Sequence, residues 1–524
     1  EAKAAFALVT DIAAKLVDAV PDVEKFLNAR QNNWESAGTM PIVGRDGLLH
    51  GLSTAIKRAS TTERASKPTA VLVLGCQGSG KTQLLKHYVA TRMVERCMAG
   101  LVLVADAAAQ RASCGREALL KYKANASTVT TGDSCLVDLV VAHVKETFRI
   151  ERLEVTTVAE AYAAWTEAAR RHGHQLDPAT TPVVIIDTVE ELHSLKSTVK
   201  ASIERLPNRS LLQLLITAVP RGHVLIAAGT LGRSLSLDPV VATQAHVQRL
   251  PPLVSLTEAE FAAAATLWHP EVFTNVPLDV NYALPVAHYY AGGLPRLLRG
   301  AADPSSGICL LNVLQAYQPL LLGFTRSRSV SGETIDADFM TAALVAATRT
   351  RVHPLNLVRE DGTATFEQVS QRYLVVEDAA AGGTPGVVYL MPPIYALAAG
   401  ASARLRHWPN GLMLDRLYEP FDITSVTLAA PKPATFRGSA WERMFVHALV
   451  ARYHLLRTLP GTAYKASPWV PLDAVLAAED DAVLSQYEVD LTNGITQPKI
   501  AASTAADRTV TWNISTNNAH HDAY

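Results

Sequence analysis

The run Thr69 to Leu85, TAVLVLGCQGSGKTQLL, constrains the fold more than any other stretch of the chain. Val71, Leu72, Val73 and Leu74 form a short unbroken apolar run, which suits a strand buried on both faces in a parallel sheet. The run breaks at Gly75, and Gly75-Cys76-Gln77-Gly78-Ser79-Gly80-Lys81-Thr82 fits the pattern G-x-x-x-x-G-K-[ST]. Glycines let the backbone curl so that its N–H groups converge on anionic oxygens, and the helix opening near Gly80 adds the positive end of its dipole. Gly75, Gln77, Gly78, Ser79, Gly80 and Gln83 then belong to a cradle for phosphate. Lys81 would reach the β- and γ-phosphates, and the Thr82 hydroxyl would ligate Mg²⁺. The stretch predicts a nucleoside-triphosphate site at the end of a buried strand.

Composition sets outer bounds. A chain of 524 residues has room for three or four domains of about 100–200 residues each, and 48% hydrophobic residues suffice for their cores. A formal net charge of −1 excludes a global basic field that would draw the chain onto nucleic acid or acidic lipid, while leaving room for a local patch. The five cysteines include no C-x-x-C pair, which argues against a disulfide framework or a zinc site and fits a reducing, intracellular compartment. No apolar run reaches the ~18 residues of a membrane span, so no membrane partner is expected. The chain starts at Glu1 rather than Met, so the expectation is that its numbering begins inside a longer precursor.

Upstream of the phosphate loop, residues 1–40 read as a helical segment. Ala5, Leu8, Val9, Ile12, Leu16 and Val17 share one face before Pro21. MPIVGRDGLLHGL, from Met40 to Leu52, then sets an apolar residue before Gly44-Arg45, an acid at Asp46 and a helix-like leucine pattern. This segment resembles the "hGR-acid" box of the AAA+ and STAND ATPases, the origin-recognition and archaeal ATPase groups among them. The resemblance implies that Gly44 and Arg45 lie beside the base and that the nucleotide is ATP.

Downstream, Leu101 to Ala105 reads as a strand, and 134–148 and 157–171 as helices. Pro182-Val183-Val184-Ile185-Ile186-Asp187 is a buried strand ending in a carboxylate, about a hundred residues after the loop, where an acid can orient Mg²⁺ directly or through water. A second acid that polarises the attacking water would usually follow. Thr188 stands there instead, so either Glu190 or Glu191 takes the role or the site binds ATP and cleaves it slowly. His223 to Thr230 forms a further strand, and Thr230 falls where AAA+-like ATPases carry a polar sensor for the γ-phosphate. Arg221 and Arg233 flank it, and either could act as an arginine finger. The βαβ alternation over 41–250 predicts an α/β fold, a P-loop NTPase core with a doubly wound parallel sheet.

Residues 251–305 turn helical. Ala291-Gly292-Gly293-Leu294-Pro295-Arg296 resembles the glycine-and-proline segment of the helical lid of such ATPases, with Arg296 as a γ-phosphate sensor, although proline is favourable at any helix start. Residues 306–430 suggest helices followed by a hairpin of 373–376 and 386–390 around a glycine-rich turn, a winged-helix-like region suited to packing. A last domain, 431–524, opens with a helix over 438–456 and has a strand candidate at 509–513.

This order of elements, ending in a helix of the form G-x-x-[FW]-E, resembles the Crinkler effectors and the retrotransposon hot spot proteins of trypanosomatids. The resemblance implies a C-terminal restriction-endonuclease-like domain, here partial, acting on DNA in the nucleus. In it Glu442 matches the helix glutamate and Asp522 the metal-binding aspartate. A two-metal nuclease needs clustered acids plus a Lys or Gln on the next strand, and the chain ends where that strand would begin. The competing expectation is a nucleotide-held switch or scaffold with little hydrolysis that binds a protein partner or a second copy of itself.

Overall fold

The computed structural model describes residues 42–60, 67–90 without Gln77, 101–107, 115–176, 180–230 with short breaks, 239–268, parts of 288–297 and of 332–392, isolated residues near 415, most of 434–476, 482–492 and 499–502. Two compact units divide the chain: residues 1–285 with 294–308, and residues 286–293 with 309–524.

In the N-terminal unit, β1 (Thr69–Leu74), β2 (Val102–Asp106), β3 (Val183–Asp187), β4 (Val224–Gly229) and β5 (His246–Arg249) form one parallel sheet in the order β2-β3-β4-β1-β5. The unbroken apolar runs have a direct cause. Successive side chains alternate between two faces, and both faces are covered. Val71, Val73, Val183, Ile185, Val224 and Ile226 share one core with α1 (Asp46–Ser60) and α2 (Lys81–Tyr88), which supply Leu52, Ile56, Leu84 and Leu85. Ala70, Leu72, Leu74, Val184, Ile186, Leu225 and Ala227 enter the other.

That second face is covered by α3 (Arg116–Ala124), α4 (Asp133–Phe148) and α5 (Val158–Arg171), followed after α6 (Glu190–Ser194) by α7 (Leu211–Ala218). Capping boxes start two of these helices, Thr157 with Glu160 at α5 and Ser210 with Gln213 at α7. Further helices described in this unit include α8 (Pro239–Gln244) and α9 (Glu258–Trp268). The sheet and its two helical layers are the α/β architecture of a P-loop NTPase. Because β4 separates β1 from β3, the carboxyl ends of three different strands converge on the turn that follows β1.

In the C-terminal unit, α10 (Gly332–Ala347) packs with a small antiparallel sheet of β6 (Arg351–Val352), β7 (Val375–Glu377) and β8 (Val387–Leu390), in the order β6-β8-β7. The hairpin expected from the glycine-rich turn is thus present, with one further short strand. The long helix α11 (Ala434–Thr458) extends the expected 438–456 and packs its Ala451, Leu455 and neighbouring Leu459 into the same core. After it, β9 (Val470–Pro471), α12 (Leu472–Leu476), β10 (Tyr487–Asp490) and β11 (Lys499–Ala502) build a second antiparallel sheet, β11-β10-β9, which the sequence did not announce. The expected helices of 1–40 and the strand at 509–513 lie outside the described residues. Among the described residues no helix is long and apolar enough to cross a membrane.

Candidate functional site

The loop between β1 and α2 can be built only from its glycines. Gly78 and Gly80 have φ of +87° and +96°, left-handed values that strain any other residue. Gly80 caps α2, its carbonyl accepting the Leu84 N–H at 2.8 Å. A Cβ on Gly78 would stand 3.1 Å from the Arg296 Cβ, and the Arg296 N–H donates to Gly78 O at 3.2 Å. The Leu294-Pro295-Arg296 segment therefore rests on the phosphate loop, with the Arg296 side chain exposed.

Lys81 is 8% exposed and folds back along the loop, donating to Gly75 O at 2.9 Å and Cys76 O at 2.8 Å. Burial pulls its pKa below the ordinary lysine value, while Cys76, Asp187 and Glu190 act in the opposite direction. The Cys76 thiol is raised by the same burial, against the pull of Lys81 and Arg45, which keeps it protonated.

The Thr82 hydroxyl donates to Asp187 Oδ2 at 2.6 Å. Asp187 is 6% exposed, and its Oδ1 accepts the Thr188 N–H at 2.9 Å. Thr188 itself has φ +60°, a strained conformation for a β-branched residue, at the position where a second acid was expected.

The two glutamates that follow part company. Glu190 turns toward the end of β4, where its Oε2 accepts the Thr230 N–H at 3.1 Å and its Oε1 the Thr230 hydroxyl at 2.9 Å. Gly229 makes room for it, since a Cβ there would lie 2.5 Å from Glu190 Oε2. Glu191 points instead to Lys123 on α3, whose Nζ lies 2.8 Å from its Oε2. Sequence spacing could not separate these neighbours, and the fold does.

Arg45 is 7% exposed and donates through Nη2 to Val254 O at 2.7 Å and, more weakly, to Ser79 O at 3.4 Å. Gly44 has φ +68°, and a Cβ there would overlap the Glu260 carboxylate. Glu260 in turn caps α9, accepting the Thr257 N–H and hydroxyl at 2.9 and 3.0 Å. Sequence reading missed Glu260, although Thr257-x-x-Glu260 carries the capping-box pattern that could have located it. It also missed Gly229, Lys123 and Val254, whose parts depend on tertiary proximity.

Of the other expected site residues, Gln83 lies on α2, partly buried, and Arg221 is exposed beyond the start of β4. Gln77, Arg233 and Asp522 lie outside the described residues, as does the side chain of Glu442, whose backbone belongs to α11. No group of three or more His, Cys, Asp or Glu able to hold a metal occurs among the described residues. Thr82 and Asp187 nevertheless fit Mg²⁺, which takes hard oxygen donors, keeps several waters and is commonly bound by one or two protein groups plus phosphate.

No protein-family model matches the chain, and no curated protein matches it. Solved structures do. The Walker-type ATPase of Pyrococcus abyssi is 16% identical, with 69% of this chain and 97% of that one covered at a TM-score of 0.40. The Orc2 protein of Aeropyrum pernix, in ADPNP–ADP complexes, is 15% identical over 68% and 92% at 0.35. The Orc1 protein of the same organism, in complex with DNA, is 14% identical over 70% and 94% at 0.32. One of these neighbours is thus a Walker-type ATPase and two are Orc proteins. At such scores and identities they carry no argument about this chain, and its fold is read from its own strand order and loop.

Proposed function

We propose that the N-terminal unit binds ATP with Mg²⁺ and hydrolyses it. The observation that carries this reading is the 2.6 Å bond from Thr82 to Asp187. It joins two residues 105 positions apart, each chosen from its own local sequence pattern, Thr82 in the first turn of α2 and Asp187 at the carboxyl end of β3. In this reading Lys81, with two hydrogens on loop carbonyls, offers its third to a phosphate oxygen. Thr82 and Asp187 hold the Mg²⁺, which when bound neutralises charge on the phosphates. Glu190 orients the attacking water, Thr230 responds to the γ-phosphate and Arg296 approaches it from the Gly78 side. Glu191, paired with Lys123, has a structural part.

Calorimetric titration of ATP in Mg²⁺ into the parent and Lys81→Ala tests the binding step. The parent should bind and the variant should lose binding. Equal affinity in the two proteins would overturn the phosphate-loop assignment.

A second reading has its own support. Both oxygens of Glu190 are engaged by Thr230, and Thr188 stands in place of the second acid, which favours a nucleotide-held switch with little hydrolysis. Single-turnover cleavage of bound ATP separates the two. A half-life of minutes or less supports the hydrolase, and persistent ATP supports the switch.

The Crinkler and hot-spot resemblance extends the proposal to a nuclease-type C-terminal domain acting on DNA. Its support among the described residues is Asp490 at the end of β10, buried and bonded to Tyr453 and Thr492, with Lys499 Nζ opposite on β11 at 4.0 Å. An acid and a lysine on neighbouring strands supply only part of such a centre, whose further acids would be the Glu442 and Asp522 implied by the resemblance. Mg²⁺-dependent cleavage of DNA by the parent, lost in Asp490→Ala and Lys499→Ala, is the expected result. No cleavage by the parent would overturn this extension and leave the ATP site untouched.

A further inference from the structure

We propose that Arg45 is a positioning residue for the phosphate loop, acting through the Ser79–Gly80 peptide rather than touching the nucleotide. This rests on the reading of the loop as an ATP site. In a trans peptide the carbonyl and the following N–H point in opposite directions from one plane, and the described residues contain no cis bond. Holding Ser79 O therefore fixes the direction of the Gly80 N–H, one of the loop donors that must converge on phosphate. Arg45 Nη2 holds that oxygen from behind, at 3.4 Å, while anchored on Val254 O at 2.7 Å.

The surroundings are arranged for this contact. A guanidinium that is 7% exposed is costly unless paired, and replacing such a buried charge by an apolar side chain is often neutral or stabilising. Arg45 has a reason beyond stability, because its partners are the loop and the segment leading into α9. Burial lowers its pKa, and the nearby Glu260 carboxylate opposes that shift. Glu260 is brought this close only because Gly44 has no Cβ, and its other oxygen is fixed by the cap of α9. Hydrogen bonds tie Glu260 to Thr257 at the start of α9 and Arg45 to Ser79 in the loop, and the attraction between the Glu260 carboxylate and the Arg45 guanidinium acts between the two pairs. The same Gly-Arg pair that resembles a base-side box serves here as a brace on the phosphate side.

Arg45→Lys keeps the charge and loses the planar fork that spans two carbonyls. Glu260→Gln keeps an acceptor for the α9 cap and removes the charge facing Arg45. Both variants would be titrated with ATP and, by displacement, with inorganic triphosphate, which has no base. Nucleotide-free melting would be followed in parallel, with Lys81→Ala as the non-binding control. For Arg45→Lys the expected result is a loss of affinity of about 10–100-fold, by the same factor for both ligands, with melting within about 2 °C of the parent. Glu260→Gln should lose affinity in the same direction and by less.

An ATP affinity within about twofold of the parent in Arg45→Lys would overturn the proposal. A loss confined to ATP would overturn it too, because Arg45 would then act on the base. So would affinity losses matched in both variants by a fall in nucleotide-free melting, the mark of a purely structural role. A parent that binds neither ligand would instead bring down the ATP-site reading itself.

Discussion

Replacing Thr82 by valine tests the central contact of the site almost isosterically. The substitution keeps the branched shape and removes the hydroxyl that donates to Asp187 Oδ2 at 2.6 Å. Asp187 is 6% exposed, so water cannot readily take the place of the lost donor, and one carboxylate oxygen is left without it. A hydrogen bond to a charged group contributes about 1.5–3 kcal/mol, and a short one belongs toward the upper end. For a unit of this size about 1 kcal/mol corresponds to about 2–4 °C in melting temperature. Thr82→Val should therefore melt about 3–12 °C lower than the parent without nucleotide, by calorimetry or circular dichroism. It should also lose the Mg²⁺-dependent part of its ATP affinity. Thr82→Ser, which keeps the donor, should stay close to the parent in both measurements. A valine variant that melts within about 1 °C of the parent and still binds Mg²⁺-ATP would refute the contact and its assigned role together.

Three other outcomes are expected. Glu190→Gln should lower single-turnover ATP cleavage at least about a hundredfold with ATP affinity retained, whereas Glu191→Gln should stay within about threefold; the reverse ranking would reassign the water-orienting role. His193, on α6 and 3.4 Å from the Ser210 hydroxyl, has its pKa lowered to about 4 by burial and secondarily by Lys196. It is neutral when folded and, below about pH 6.5, protonated when unfolded, so its contribution is fully present above about pH 6.5 and is lost as pH falls toward about 4. His193→Asn should flatten the melting temperature between those limits, and an unchanged slope would remove His193 as the cause. Ser210→Ala deletes the fully buried cap of α7 and should cost about 1–2 kcal/mol, read as a lower nucleotide-free melting temperature with ATP affinity unchanged.

Four of the five sheet strands were legible because each is an apolar run buried on both faces, ending at a glycine or an acid. The fifth, HVQR in β5, lies at the sheet edge with its side chains half-buried to exposed, and carries no such signal. The helix α3 buries only Leu119 and Tyr122, too few to set a period. In α7, LLQLLITA, apolar residues surround the axis and periodicity cannot tell a helix from a strand. At the site, the loop and Asp187 were legible because their chemistry is contiguous in sequence. The choice between Glu190 and Glu191 was not. Consecutive helical residues point about 100° apart, and only the register of α6 against β4 decides which meets Thr230. Arg45 was legible as a candidate but its contacts were not, since its partners are backbone carbonyls, which leave no trace in residue type.

The phosphate loop is ordered by donors from three separate parts of the unit. Lys81 takes Gly75 O and Cys76 O from within the loop's own helix, Arg296 N–H takes Gly78 O, and Arg45 takes Ser79 O. Buried backbone carbonyls need partners, so these contacts satisfy the loop; they also orient it, because each carbonyl fixed on one side of a peptide plane aims an N–H to the other. Two of the donors sit in segments that flank the loop, one before β1 and one after α9, so on the proposed reading movement of either segment would alter the direction of an N–H aimed at the phosphates. Phosphate affinity and the positions of those segments would then be linked in both directions, as any coupling between two equilibria requires. On the proposed reading, a nucleotide that draws the loop's N–H groups inward would also draw on Arg45 and Arg296, and the bound state would have a mechanical consequence before any bond of the nucleotide is broken.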